Sequence, residues 1–362
     1  LPALPFDASM RPGAESPGLV RLSDPEDRRQ IAMTHDSSKR ASLMAMAAGA
    51  GAVALPGLAR AQSGFPNKTI RLVVPYAPGG ATDIIGRAAA AEMSKTIGQQ
   101  VVVDNRPGAG ANLGADQVSK STPDGYTLLV SPSSLHGITP FLYSKLNYDP
   151  NKDLAPIVVL GQFANVLVVH PQVKANSVAE LVALLRANPG KYSYASSGNG
   201  STIHLSGEMF RSQANVDISH VPYKGSGPAL TDLMGGQVHI MFDNIPSALP
   251  HIRSGKLRAL ATTGPTRATT LPELPTMIES GFPGYVSTAW FGLSAPAATP
   301  RDVIARLNAE GVKATKSPDF IRKMSDLGYD IVGGTPELMG SMIQDELKRW
   351  GPVVKASGAK VD

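Results

Sequence analysis

The sequence predicts an α/β protein in which two lobes face one cleft. Short β-branched runs alternate with amphipathic stretches of ten or more residues, the pattern of parallel strands joined by right-handed helical crossovers. Two glycine-rich turns, Pro78-Gly79-Gly80-Ala81-Thr82 and Ser197-Gly198-Asn199-Gly200-Ser201-Thr202, each follow a strand and open a helix, about 120 residues apart. A chain of 362 residues, 42% apolar and 17% charged, can bury one large core or two ordinary ones.

The elements follow in order. KTIRLVVPYAPGG holds a buried strand from Ile70 to Pro75, and TDIIGRAAAAEMSKTIG continues as a helix with Thr82 as its N-cap and Gly98 closing it. QQVVVDNRPGAG is a second strand and turn, and ANLGADQVSKS a second helix. The Pro-Asp-Gly turn of TPDGYTLLVSPSS leads into a third strand. APIVVLGQFANVLVVHP supplies two apolar runs. SVAELVALLRANPG is a capped amphipathic helix whose buried side is Val178, Leu181, Val182, Leu184 and Leu185. YSYASSGNGSTIHLSGEMFRSQA reads as strand, glycine turn and helix, and the next segment repeats the alternation, with a short strand from Ile240 to Phe242 ending at Asp243. Two helices, about Arg301 to Lys316 and Pro336 to Ala356, finish the chain.

The N-terminal region reads as a leader. Lys39 and Arg40 precede an apolar run from Leu43 to Leu55, and Ala59-Arg60-Ala61 is a small-x-small cleavage site, the order of a secretory signal peptide cut after Ala61. The run is too short for a comfortable membrane span. A buried Ala-rich helix is the alternative. Ser38-Lys39-Arg40-Ala41-Ser42-Leu43 also approximates a twin-arginine signal, with Lys in place of one Arg. Residues 1–61, an N-terminal extension and signal peptide, are expected to be removed. That leaves 27 Lys/Arg against 23 Asp/Glu, a mild cationic excess that suits anionic small ligands. No run of five or six basic residues marks a nucleic-acid groove.

The motifs favour grip over chemistry. Cysteine is absent, which excludes disulfides and thiolate metal sites. Residues 108–114, GAGANLG, miss the dinucleotide fingerprint by one residue and lack its acidic partner. Neither G-x-S-x-G nor H-E-x-x-H occurs. His204 and Glu208 are the one tidy i, i+4 pair, expected to face solvent or pack, and His170 and His220 look like strand-end residues. Helix N-termini carry unsatisfied N–H groups and a positive partial charge, so two facing each other form a clamp for an anion. Gly79 and Gly80 let backbone N–H groups approach a ligand without a Cβ in the way. Asp83 beside a bound carboxylate would be repulsive. It either favours the helix N-terminus, accepts backbone N–H bonds, or holds a water. Tyr223-Lys224-Gly225 and Asp243-Asn244 fall at the same cleft edge, and Lys224 is the one cation in these loops.

FPNKTIRLVVPYAPGGATDIIGR, VVVDNRPGAGANLGADQVSKSTPDGYTLLV, VPYKGSGPALTDLMGGQV and LPELPTMIESGFPGYVSTAWFGLSAPAATP together resemble the Bug or TctC-type extracytoplasmic solute receptors of tripartite tricarboxylate transporters. The likeness runs from Phe65 to about Lys355. It implies a class II periplasmic-binding-protein fold. One lobe would comprise residues 62–169 and 287–362, the other 170–286, with crossovers near His170 and Ser287. It also implies a ligand carboxylate on the loop Tyr76, Pro78, Gly79 and Gly80, partly through water, with Thr82 and Asp83 close by. Ser131, Ser133 and Ser134 complete that lobe's share. Ser197, Gly198, Asn199, Ser201, Thr202, Tyr223 and Asp243 supply the other. The resemblance further implies a monomeric periplasmic receptor for a small organic carboxylate, without cofactor, metal or catalytic residue. Its partners would be the membrane components of a tripartite transporter, or a sensor kinase. The rival reading is a secreted α/β hydrolase acting on carboxylate esters, for which Asp83 and Asp243 are the available cleft carboxylates.

Overall fold

Ile70–Val74 (β1) is almost wholly buried and pairs in parallel with Val101–Asn105 (β2) and Thr127–Pro132 (β3) in this computed structural model, which describes residues 64–357 and Val361. The expected leader lies outside the described residues. Ala81–Thr96 (α1) joins β1 to β2, and Asn112–Ser119 (α2) joins β2 to β3. Helix α1 is capped two residues earlier than expected. Gly80, in extended conformation, is its N-cap, and the first helical bond runs from Ile84 N–H to the Gly80 carbonyl at 3.0 Å, so Thr82 lies inside the first turn. Gly98, at φ +90°, closes the helix in the left-handed region that glycine tolerates.

After the short helices Ser133–Gly137 (α3) and Thr139–Leu142 (α4), the two expected apolar runs prove to be one continuous strand, Leu154–Val169 (β4). Up to Ala164 it pairs antiparallel with Thr288–Pro296 (β9) and with Asp330–Gly333 (β10). From Asn165 its partners are Ile240–Asn244 (β7) and Arg258–Thr262 (β8), again antiparallel. The sheet is therefore mixed rather than wholly parallel. Parallel ladders are confined to β1–β3 and to β7 with Tyr192–Ser196 (β5) and Ile218–Pro222 (β6). The strand path is β2-β1-β3-β9-β4-β7-β5-β6, with β8 and β10 also pairing with β4.

Helices Val178–Arg186 (α5), Thr202–Ala214 (α6), Ser226–Met234 (α7) and Ile245–Arg253 (α8) alternate with the strands of the second half. Ser177 caps α5 by accepting the Glu180 N–H, while Val178, Leu181 and Leu185 are buried and Val182 and Leu184 pack at the margin of the same cluster. The chain then returns to the first half. Arg301–Lys316 (α9) and Pro336–Ser357 (α11) match expectation, and Pro318–Ser325 (α10) is an additional short helix begun by proline. One core gathers α1, β1 and α9, with Ile70, Leu72, Ile85, Met93 and Leu307 buried. The second half has its own, with Phe210, Phe242 and Tyr285.

Where β4 changes partners, the interior is polar. Asn165 Nδ2 donates to Ser206 Oγ at 3.1 Å, and Asn165 Oδ1 accepts from Asn244 Nδ2 at 2.7 Å. Ser206 Oγ lies 2.8 Å from Ser287 Oγ, just ahead of β9. Thr263 Oγ1 donates to the Ser287 carbonyl at 2.6 Å and accepts from Asn165 N–H at 2.9 Å. Asn165, Ser206, Thr263 and Ser287 are fully buried. Apolar groups would pack here as well, but they would not hold the two chain crossings in fixed register. Asn165→Ala strands hydrogen-bonding capacity on both Ser206 and Asn244 and is expected to cost about 3 kcal/mol, at about 1–3 kcal/mol per unsatisfied buried group. Urea unfolding measures this; a loss under about 0.5 kcal/mol would show that the network is dispensable for stability.

Candidate functional site

The carboxyl ends of β1, β3, β5, β6 and β7 open on one place, and a helix begins just beyond each. Gly80, Ala81 and Thr82 come from α1, Ser133 and Ser134 from α3, Ser201 and Thr202 from α6, Ser226 from α7, and Asn244 caps α8. Together with Tyr76, Pro132, Ser197, Ala289 and Phe291 they enclose an inner cavity of about 20 Å³, room for little more than a water-sized group. Among the described residues no Lys or Arg lines it. Its positive character comes from N–H groups and the N-terminal ends of helix dipoles.

Asp83 organises the first loop from behind. Its Oδ2 accepts from Gly79 N–H at 3.1 Å and Arg87 Nε at 3.0 Å, while Oδ1 accepts from Asn105 Nδ2 at 2.9 Å. Asn105 Nδ2 also donates to the Tyr76 carbonyl at 3.0 Å. Burial pushes the Asp83 carboxyl up, but the bonds from Arg87, Asn105 and Gly79 outweigh it and hold the group below the usual carboxylate range. Of the three roles open to Asp83 in the sequence, acceptance of backbone N–H is the one this geometry displays.

Ser131 is also turned away from the cavity. Its Oγ lies 2.7 Å from His136 Nε2, and His136 Nδ1 lies 2.9 Å from Asn151 Oδ1. The row of Ser, His and Asn looks like a nucleophile relay, but Ser131 is fully buried and absent from the cavity wall. Burial lowers His136 to about 4, so the ring is neutral near pH 7.

The second glycine loop is backed in a similar way. Gly198 N–H donates to Ser196 Oγ at 3.1 Å, and that oxygen lies 2.7 Å from His220 Nε2. His220 stacks on His204 with ring centroids 4.2 Å apart, and His204 Nδ1 accepts from Gly200 N–H at 3.3 Å. Burial lowers His204 to about 4 and, with the neighbouring His204, His220 to about 3. Ser201 caps α6 through His204 N–H. Glu208 is buried and binds Tyr194 and Arg211, so the His204/Glu208 spacing serves packing; no metal-binding cluster occurs among the described residues.

Asp243 mirrors Asp83. Ser226 Oγ donates to its Oδ1, and Ser247 Oγ to its Oδ2 at 2.6 Å. Its full burial pushes it up to about 6, against the lowering effect of Ser226 and Ser247. It thus fixes the start of α7 and leaves Ser226 and Asn244 at the cavity.

Of the residues expected at the site, Tyr76, Gly80, Thr82, Ser133, Ser134, Ser197, Ser201 and Thr202 line the inner cavity. Gly198, Asn199 and Tyr223 line an outer cavity at its mouth, which Tyr76 and Ser197 also border. Pro78, Gly79, Asp83, Ser131 and Asp243 line neither. Asn244, read from the sequence at the cleft edge beside Asp243, also lines the inner cavity, and Pro132, Ser226, Ala289 and Phe291 are additional. A signal existed for Ser226, because Gly225-Ser226-Gly227 is a third glycine turn opening a helix. None existed for Ala289 and Phe291, which are ordinary strand residues in β9.

The two sides approach closely at glycines. Ala77 N–H donates across the cleft to the Lys224 carbonyl at 2.9 Å, and Tyr143 Oη to the Asn199 carbonyl at 3.2 Å. A Cβ on Gly227 would lie 2.2 Å from the Pro78 carbonyl oxygen, and one on Gly110 would lie 1.9 Å from that of Asn199. The GAGANLG segment that imitates a cofactor loop is thus a contact surface between the two sides.

Strand ends that converge from two halves on one cleft ringed by helix N-termini give the architecture of a two-lobed solute-binding protein. Residues 85–359 match the model of the tripartite tricarboxylate transporter family receptor, and the chain belongs to that family. It is a periplasmic solute receptor, not an enzyme. It is 41% identical over 291 residues to the UPF0065 protein of the tcbD-tcbE intergenic region of Pseudomonas sp. (strain P51), covering 80% of this chain and 86% of that one. Protein BugT of Bordetella pertussis is 40% identical over 298 residues, covering 82% and 91%. Among solved structures, an R. palustris protein with adipate matches at TM-score 0.79 and 37% identity, covering 82% of this chain and 100% of that one. MatC from Rhodopseudomonas palustris with bound malate matches at 0.78 and 36%, covering 80% and 100%.

Gly227→Ala is favourable inside a helix, yet its methyl group meets the Pro78 carbonyl across the cleft. The variant is expected to keep its melting temperature within a few degrees while small-angle scattering shows a larger radius of gyration; an unchanged radius would show that this contact does not limit approach. The two carboxyls have opposite signs in pH. Asp83, lowered in the fold, contributes stability above its ordinary value of 3.8 that is lost as pH falls through its folded value. Asp243, raised to about 6, costs stability as pH climbs from 3.8 to about 6 and adds no slope above. Melting curves from pH 3 to 8 are expected to lose the acid limb's steepness in Asp83→Ala and the decline between pH 4 and 6 in Asp243→Asn.

Proposed function

We propose that this receptor captures a small organic carboxylate in the cleft and presents it, as a monomer, to the membrane components of a tripartite transporter. One observation carries the reading: the inner cavity is ringed by helix N-termini and hydroxyls, and no cationic side chain lines it among the described residues. Such a wall recognises the compact charge of a carboxylate through N–H donors. The R. palustris relatives that hold adipate and malate support it. The moving parts would be residues 62–169 with 287–362 and residues 170–286, turning where β4 and β9 pass between them. Ligand favours the closed arrangement by touching both sides at once. The signal-like segment 39–61 supports export with cleavage after Ala61.

Thermal shift against a panel of mono-, di- and tricarboxylates tests the reading. A binder at a hundred times its dissociation constant adds about 2.7 kcal/mol of stability, with no consumption of the compound over hours. Gly80→Val places a side chain against Ser226, whose Cβ would already lie 3.1 Å from a Cβ at Gly80, and should abolish the shift while unfolding stays cooperative. No stabilisation by any carboxylate, or turnover of one, would sink the proposal.

A further inference from the structure

The cavity at the mouth differs in character from the inner one. It measures about 350 Å³, within the range of small-molecule pockets, and joins the inner cavity past Tyr76 and Ser197. Three of its walls are tyrosines, Tyr76, Tyr143 and Tyr223. Their hydroxyls are committed elsewhere. Tyr143 Oη donates to the Asn199 carbonyl at 3.2 Å, Tyr223 Oη to Asp232 Oδ2 at 2.7 Å, and the Tyr76 hydroxyl is turned to Ser134. With those hydroxyls committed, the tyrosines offer the space chiefly their rings, beside Pro222 and the glycines Gly110 and Gly198. The inner cavity, at about 20 Å³, takes a head group only, so the body of any ligand must lie in this outer space.

We infer that the outer cavity is a subsite for an aromatic ring and that the preferred ligand is an aromatic monocarboxylate. The inference rests on the reading of the inner cavity as a carboxylate site. A ring offers large contact area at little entropic cost and stacks or meets tyrosine edges at favourable geometry. A second carboxylate would find spent hydroxyls and, as its one cation, Lys224, which is exposed at the rim and has no ion-pair partner among the described residues. Lys224 is placed to attract anions to the entrance rather than to seat one inside.

Isothermal titration of the full mature chain with benzoate, phenylacetate and 3-phenylpropanoate, against adipate and malate, decides the point. At least one aromatic acid is expected to bind tenfold or more tighter than either aliphatic dicarboxylate. Tyr143→Ser should bring that ratio toward one and Tyr143→Phe should restore it; Tyr223→Leu is the second variant should the first fail to fold. Adipate or malate binding more tightly than every aromatic acid, with Lys224→Gln removing the advantage, would overturn the aromatic subsite and leave the receptor reading intact. Binding by neither class would overturn both.

Discussion

Backbone N–H groups can hold an anion only where no side chain stands between them and it, and most of this cleft follows from that constraint. Glycine and serine fill the turns because larger side chains would cover the donors. The carboxylates that shape the turns sit one layer back. Asp83 grips the Gly79 N–H, and Asp243 grips Ser226. Each positions a helix start without offering its own negative charge to the cavity. The histidines beneath the loops obey the same rule: His136 and His220 pair with serine hydroxyls and His204 accepts a backbone N–H, His136 and His204 buried, His220 half-buried, and all three neutral near pH 7.

The same wall reaches the junction of the two halves. Asn244 is at once a cavity residue and the partner of Asn165, which in turn meets Ser206, and through it Ser287. A ligand that shifts Asn244 acts on the point where β4 changes partners and β9 begins. Coupling between occupancy and lobe orientation therefore has a short physical route, made of hydrogen bonds between fully or almost fully buried groups.

Much of this was legible in the chain. The alternation of strand and helix, the glycine turns and the cap of α5 at Ser177 depend on local chemistry that a sequence displays. The antiparallel course of β4 and β9 was not, because an apolar run looks the same in either direction and pairing is settled by distant partners. At the site, residues on turns were readable because glycine and serine mark them. Ala289 and Phe291 were hidden, since an inward-facing strand residue looks the same whether it meets a ligand or a core. Asp83 and Asp243 show the opposite difficulty. Their type and position suit direct contact, and only the hydrogen bonds reveal that they act from behind.

A chamber built from backbone and hydroxyls has a further property. Of its lining residues only Tyr76 can ionise, and burial moves that phenol further from neutrality. The attraction exerted by helix ends does not titrate. Asp243, raised to about 6, lies one layer behind Ser226, so the inner wall keeps one electrostatic state above that pH, and there the grip on a carboxylate follows the ionisation of the ligand itself. Above that pH the site resembles a fixed electrode, set by the fold.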